Sequence, residues 1–188
     1  MSPLEIAGTV LGFVNIVLLI RRSVWNFPVA MAMVTCIGIV LAEARLYAEA
    51  GLQVFFFVVN AWGWWVWSRA RSERSGIAVG WLGWPARIAW ALATAVVSVT
   101  LGLTLSRWTD AALPMADSAV TGMSVAAQFL LTFRRIENWV LWIVIDVVSI
   151  ALYMIRDLHL LAVLYVAFLA LSVLGLREWT RAGGAKPA

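Results

Sequence analysis

The stretch Glu137-Asn138-Trp139-Val140-Leu141-Trp142, with Asp146 just beyond it, decides how the rest of the chain is read. Trp139, Trp142, Asp146, Ser149 and Tyr153 follow one another at steps of 3, 4, 3 and 4 residues, which puts all five on one face of a helix. Every residue between them is Val, Ile, Leu or Ala. An aliphatic helix with one aromatic-and-polar stripe that includes an acid needs an explanation, and the surrounding sequence supplies one.

The chain has 188 residues, 63% of them hydrophobic, with a mean hydropathy of +0.91. A soluble domain of this size would expose too much apolar surface, and several apolar runs approach the ~20 residues that cross a bilayer as helix. The formal charge of +4 would suit nucleic acid, but the basic residues sit in short clusters between apolar runs, the pattern of membrane-protein loops. The single cysteine, Cys36, excludes an intramolecular disulfide. Glu5 and the lack of an N-terminal basic cluster do not fit a cleavable signal peptide.

Seven apolar segments follow: 5–20, 24–42, 47–67, 86–105, 113–132, 138–155 and 158–178. The longest polar interval, 68–85, separates the third from the fourth. Arg45, Arg107 and Arg156 fall on one side of this alternation, and the other 11 of the 14 basic residues on the opposite side. The positive-inside rule then places the C-terminus in the cytoplasm and the N-terminus outside.

A shift of 112 positions aligns the first three segments with the last three without a gap. Arg22 falls on Arg134, Asn26 on Asn138, Leu46 on Leu158, Gly63 on Gly175, Trp67 on Trp179 and Arg69 on Arg181. Matches of Asn, Gly, Trp and Arg are hard to obtain by chance in so apolar a composition. Four crossings separate equivalent points, so both copies share an orientation. The expectation is an all-α polytopic membrane protein of one domain with seven transmembrane helices in a parallel 3+1+3 repeat. Residues 5–67 form the first repeat, 86–105 a linker helix, 113–179 the second repeat and 180–188 a cytoplasmic tail. In transporters built from repeats the substrate site lies near the midplane between the halves.

At this point the residues resemble a known family, the Pnu family of bacterial vitamin transporters, whose founding members are nicotinamide riboside transporters. The resemblance rests on Arg134-Arg135-Ile136-Glu137-Asn138-Trp139-Val140-Leu141-Trp142 with Asp146, Tyr153, Leu164-Tyr165 and Gly175 to Trp179. In the first half, Trp25-Asn26-Phe27-Pro28, Leu46-Tyr47, Gly51-Leu52-Gln53 and Gly63-Trp64 fit as well. It implies a SWEET-like seven-helix fold, a homotrimer in the bacterial inner membrane, and facilitated diffusion of an unphosphorylated vitamin made one-way by a cytoplasmic kinase. Relatives divide among nicotinamide riboside, thiamine and riboflavin. No cofactor, metal site or nucleic-acid partner is expected, and no enzymatic activity; membrane lipid surrounds the chain.

Trp139 and Trp142 fit an interfacial aromatic belt, as do Trp25, Trp64, Trp65, Trp67 and Trp179. They also share a face with Asp146, and in the family this motif lines the substrate path. Asp146 lies ~12 Å into its helix at ~1.5 Å per residue, near the bilayer centre, where an acid costs ~2.5–3.5 kcal/mol. Its counterpart is Val34, so the fold does not require an acid there. It would pair with donors on a neighbouring helix or stabilise a cationic ring, the pyridinium of nicotinamide riboside or the thiazolium of thiamine, helped by cation–π contact. Neutral riboflavin gains less.

Gln53, Phe57, Asn60, Trp64 and Trp67 step by 4, 3, 4 and 3 along the third segment. Gln53 and Asn60 suit interhelical hydrogen bonds or the hydroxyls and carboxamide of a ligand. Their counterparts Tyr165 and Ser172 are also polar, so both copies keep a polar stripe on their third helix. Gln128 is a further candidate, with Thr132 four residues on. Asn26 and Asn138 suit N-caps, with Asn138 kept as a binding candidate. Pro28 marks a kink or a first turn, and with Val140 as its counterpart a symmetric proline hinge is not supported. His159 is expected in an outer loop. The substrate-binding set is therefore Gln53, Asn60, Gln128, Asn138, Trp139, Trp142, Asp146 and Tyr165. The tryptophans and acid of the second copy would face the amides of the first.

Overall fold

The computed structural model describes residues 2–43, 47–71, 78–108 and 113–184. Arg45, Leu46, Arg74 and Lys186, used in the charge count and the repeat alignment, lie outside them. Seven helices make up most of the described residues: α1 (Pro3–Ile20), α2 (Asn26–Glu43), α3 (Tyr47–Arg71), α4 (Trp84–Trp108), α5 (Pro114–Thr132), α6 (Glu137–Ile155) and α7 (His159–Gly184). Of these, α1, α2, α4, α6 and α7 are long and apolar enough to cross a membrane by themselves. The sequences of α3 and α5 are diluted by Gln53, Asn60, Gln128 and several hydroxyls, although the helices run to 25 and 19 residues.

The helices overrun the expected segments where no breaker stops them. α7 continues through Thr180–Gly184, part of the expected tail, because nothing resists helix until Gly183-Gly184. His159 is the first residue of α7 rather than a loop residue. Pro28 is the third residue of α2, within the first turn, where its missing N–H costs nothing. A capping box starts α1: the Ser2 hydroxyl accepts from Glu5 N–H at 3.2 Å, and Ser2 N–H donates to Glu5 Oε2 at 2.6 Å.

The ends of α1 and α5 match in detail. Arg22 and Arg134 each adopt a left-handed backbone, with φ of 54° and 61°. Ser23 N–H donates to the Leu18 carbonyl at 2.9 Å, and Arg135 N–H to the Leu130 carbonyl at 2.7 Å, the bonds of a Schellman turn. These pairs are related by the same shift of 112 residues. A side chain in this conformation is tolerated but strained, and a β-branched one more so. Arg134→Gly is therefore expected to unfold later in denaturant than Arg134→Val, by ~1–2 kcal/mol.

The described residues group into two compact units. The first holds α1, α2 and α3, with Thr132–Arg134 and the end of α7 from Arg177. Within it α1 packs on α2 and α2 on α3. Glycines allow the approach: a Cβ on Gly8 would meet Ile37 Cγ1 at 3.2 Å, and one on Gly38 would meet Gln53 Cβ at 3.3 Å. Trp67 and Trp179 are fully buried here, not in an aromatic belt. Their indole N–H groups donate to the carbonyls of Thr132 (3.2 Å) and Leu19 (3.1 Å), at the last turns of α5 and α1. Carbonyls of a helix's last turn lie past its last i+4 N–H donor and can take a donor from elsewhere; the Leu19 carbonyl also accepts from Arg22 N–H at 2.9 Å. Trp25, Trp64 and Trp65 are exposed, as a belt requires.

The second unit holds α4, α5, α6 and α7 up to Leu176. Gly122 of α5 lies against Ser98 of α4, and Gly102 of α4 against Met115 of α5. Two ion pairs tie α6 to its neighbours, one at each end. Glu137 pairs with Arg87 of α4 at 2.8 Å, and Arg156, in the turn after α6, takes both carboxylate oxygens of Asp117 of α5 at 3.0 and 2.8 Å. A short extended segment before α4 joins this unit through Gly80, whose carbonyl accepts from Ile136 N–H at 3.1 Å.

Candidate functional site: the polar seam of α6 and α7

Three pairs of residues define how α6 and α7 meet. Trp139 lies against Gly175, Asp146 against Ser172, and Tyr153 against Tyr165. As the α6 number rises the α7 number falls, so the helices run antiparallel. A Cβ on Gly175 would stand 2.5 Å from Trp139 Cη2 and Cζ3, closer than side chains approach one another. Only glycine lets the indole lie so near the backbone of α7. Phe27 and Gly63 form the same arrangement between α2 and α3 of the first unit. The aromatic residue at this position is thus a packing feature found at both places related by the shift, and Trp139 is 1% exposed.

Two turns further along α6 the two places differ. Asp146 is 4% exposed, and its Oδ2 accepts from the Ser172 hydroxyl at 2.9 Å. The equivalent positions in the first unit are Val34 and Asn60. Among the described residues no Arg, Lys or His pairs with Asp146, so its charge is met by a neutral donor alone. Ser149 is buried on the same stripe, while Trp142 and Tyr153 keep partial exposure. Tyr165 packs edge-on against Tyr153 (5.0 Å between centroids) and Phe168 (5.5 Å), closing the seam beyond the acid.

Asn138 does not cap α6. The residue before the helix is Ile136, and the Asn138 Nδ2 donates back to the Arg135 carbonyl at 2.6 Å. Asn26 does the same to Ser23 at 2.6 Å. The reason is position: each Asn lies at or just inside the helix start, so its amide meets the carbonyl of the turn before rather than free N–H groups ahead of it. The Asn138 Oδ1 is buried without a hydrogen-bond partner among the described residues.

On α3 the expected stripe is rotated. Asn60, Gly63, Trp67 and Ala70 are buried, while Phe57 and Trp64 are exposed beside them. Close approach of Phe27 at Gly63 sets which line faces inward. Asn60 donates to the Phe56 carbonyl of its own helix at 2.8 Å, and Gln53 is partly exposed next to Gly38. Gln128 of α5 is buried.

The seam within the second unit therefore gathers Trp139, Asp146 and Tyr165, the structure adds Ser172 to them, and Trp142 lies on the same face of α6. Asn15 was missed from sequence: its Oδ1 is buried in α1 without a hydrogen-bond partner among the described residues. The signal was present, an amide inside an apolar run, as at Gln53 and Asn60. Among the described residues no group of three or more His, Cys, Asp or Glu side chains is placed to hold a metal ion.

A family model described as nicotinamide mononucleotide transporter matches residues 2–181. The nicotinamide riboside transporter PnuC of Escherichia coli K12 is 29% identical over 205 residues, covering 95% of this chain and 85% of that protein. The riboflavin/roseoflavin transporter RibM of Streptomyces davaonensis is 26% identical over 181 residues, covering 93% and 83%. Among solved structures, a crystal structure of the vitamin B3 transporter PnuC aligns with a TM-score of 0.78 at 24% identity, covering 96% of this chain and 81% of that one. The fold is that of this transporter, and the chain belongs to the nicotinamide mononucleotide transporter family as a multi-pass protein of the bacterial inner membrane.

Proposed function

We propose that the protein imports nicotinamide riboside by facilitated diffusion, with Asp146 as the counter-charge for the pyridinium ring. The observation that carries this reading is a buried carboxylate whose only hydrogen-bond donor among the described residues is a neutral hydroxyl. Within a membrane span such an acid is costly, and a cationic ligand recovers that cost when it binds. Trp142 adds a ring face for cation–π contact, Trp139 walls the same stripe, and Tyr165 contributes a hydroxyl. Gln53, Asn60, Gln128 and Asn138 are assigned to the ribose hydroxyls and the carboxamide, which need both donors and acceptors.

The finer architecture belongs to the same reading. The matched turns at Arg22 and Arg134 and the matched aromatic–glycine pairs support a parallel 3+1+3 repeat. The distribution of basic residues supports a cytoplasmic C-terminus. Assembly as a homotrimer and trapping of the vitamin by a cytoplasmic kinase complete it.

The riboflavin/roseoflavin transporter among the relatives favours a second reading, with riboflavin as substrate. Thiamine is the third ligand to compare. Purified protein titrated calorimetrically with the three vitamins separates these readings, with uptake into liposomes as confirmation. Nicotinamide riboside is expected to bind at least tenfold more tightly than riboflavin, a difference of ~1.4 kcal/mol. Tighter binding of riboflavin would sink the assignment of Asp146 to a cationic ring.

A further inference from the structure

Glu137 opens α6 but its carboxylate serves residues outside that helix. Oε1 accepts from Leu82 N–H at 2.8 Å and from Arg87 Nε at 2.8 Å, and the side chain is only 14% exposed. One residue earlier, Ile136 N–H donates to the Gly80 carbonyl at 3.1 Å. The Arg87 guanidinium carbon lies 5.1 Å from the Trp81 ring centroid and 5.2 Å from that of Trp84, so the pair is flanked by indoles. The extended segment before α4 and the first turn of α4 are thus fastened to the first turn of α6 through one carboxylate.

An acid in a first helical turn has an ordinary explanation in the helix dipole. That explanation needs no partners from another element, and here there are two. The position related by 112 residues is Trp25, which is 60% exposed, so the two copies do not share a carboxylate here. Among the described residues this clamp stands at the start of the helix that carries the stripe. Trp139 follows Glu137 by two residues, Trp142 by five and Asp146 by nine, all on one stiff helix. At the other end Arg156 holds Asp117. Ties near both ends oppose sliding and turning of α6, and so favour one placement of the stripe.

We infer that Glu137, clamped by Arg87 and Leu82 N–H, is a positioning residue that holds the Trp139–Trp142–Asp146 stripe in its binding geometry. This rests on the reading of that stripe as the substrate site. The test is calorimetric titration of purified protein with nicotinamide riboside, in which stoichiometry counts folded sites and Kd reports their geometry. Glu137→Ala and Arg87→Leu are expected to raise Kd about five- to tenfold at unchanged stoichiometry, because supporting contacts set first-contact geometry. Glu137→Gln, which keeps an acceptor oxygen for both donors, is expected to stay within about twofold of the parent. A fall in stoichiometry or melting temperature with Kd unchanged would make the clamp merely structural and overturn the inference. Asp146→Asn measured alongside separates the two claims. If Kd responds to Asp146 but to neither Glu137 nor Arg87, the clamp alone fails. If Kd responds to Glu137 and Arg87 but not to Asp146, the counter-charge reading fails and the clamp stands.

Discussion

Asp146→Asn is expected to weaken nicotinamide riboside binding about thirty- to a hundredfold, ~2–3 kcal/mol, while raising the melting temperature of the ligand-free protein. Both parts follow from one fact, a buried carboxylate bonded to Ser172 and to no cation among the described residues. Opposite unit charges ~4 Å apart at an effective dielectric constant of ~20 attract by ~4 kcal/mol, part of which is offset by desolvating the ligand. In the ligand-free protein the same charge is a liability of ~2.5–3.5 kcal/mol by insertion scales. Asparagine removes the charge and keeps a carbonyl oxygen for the Ser172 hydroxyl, so stability rises as affinity falls. The reduced, uncharged form of nicotinamide riboside is the control, and its affinity is expected to change less than about twofold. Equal loss for the charged and reduced forms would assign Asp146 to shape rather than charge.

Gly175→Ala is expected to destabilise the protein by ~1–3 kcal/mol, the usual cost of overpacking a tight core. The added methyl would stand 2.5 Å from two atoms of the Trp139 ring, and the indole is buried at 1% exposure. The cost lies in a single contact, so it is expected to vanish in a Trp139→Ala background, where the methyl enters space the indole has left. Equilibrium unfolding in detergent of the two single variants and the double variant measures this coupling. Simple additivity would mean that Gly175 is required for its backbone and not for the ring. Gly63 and Phe27 offer an internal repeat of the experiment, since they form the same contact between α2 and α3.

Much of this was legible in the residues. The five-residue stripe of α6 could be read because helical periodicity fixes which side chains share a face, and Trp139, Asp146 and Ser149 are indeed buried together. The misreadings share a cause. Trp67 and Trp179 looked like members of an interfacial belt, since a tryptophan near a helix end has the same local sequence whether it faces lipid or a neighbouring carbonyl. Steps of three and four put Phe57 and Trp64 on one face with Asn60 and Trp67, but they leave two adjacent lines open, and contact with Phe27 at Gly63 turns the line of Asn60, Gly63 and Trp67 inward. The position of Asn138 in the sequence allows a cap, but its amide donates to the turn carbonyl of Arg135 instead.

Sequence alone determined that the chain is helical and spans a membrane, because apolar length and periodicity are properties of the chain itself. It also singled out Asp146, since an acid among aliphatic residues stands out wherever it points. Tertiary structure decided what each of those groups meets: Ser172 and not a cation for Asp146, glycine for Trp139, and Arg87 with Leu82 N–H for Glu137. Those partners lie 26 to 55 residues away in the chain, beyond the reach of any local pattern, and only packing of one helix on another brings them together.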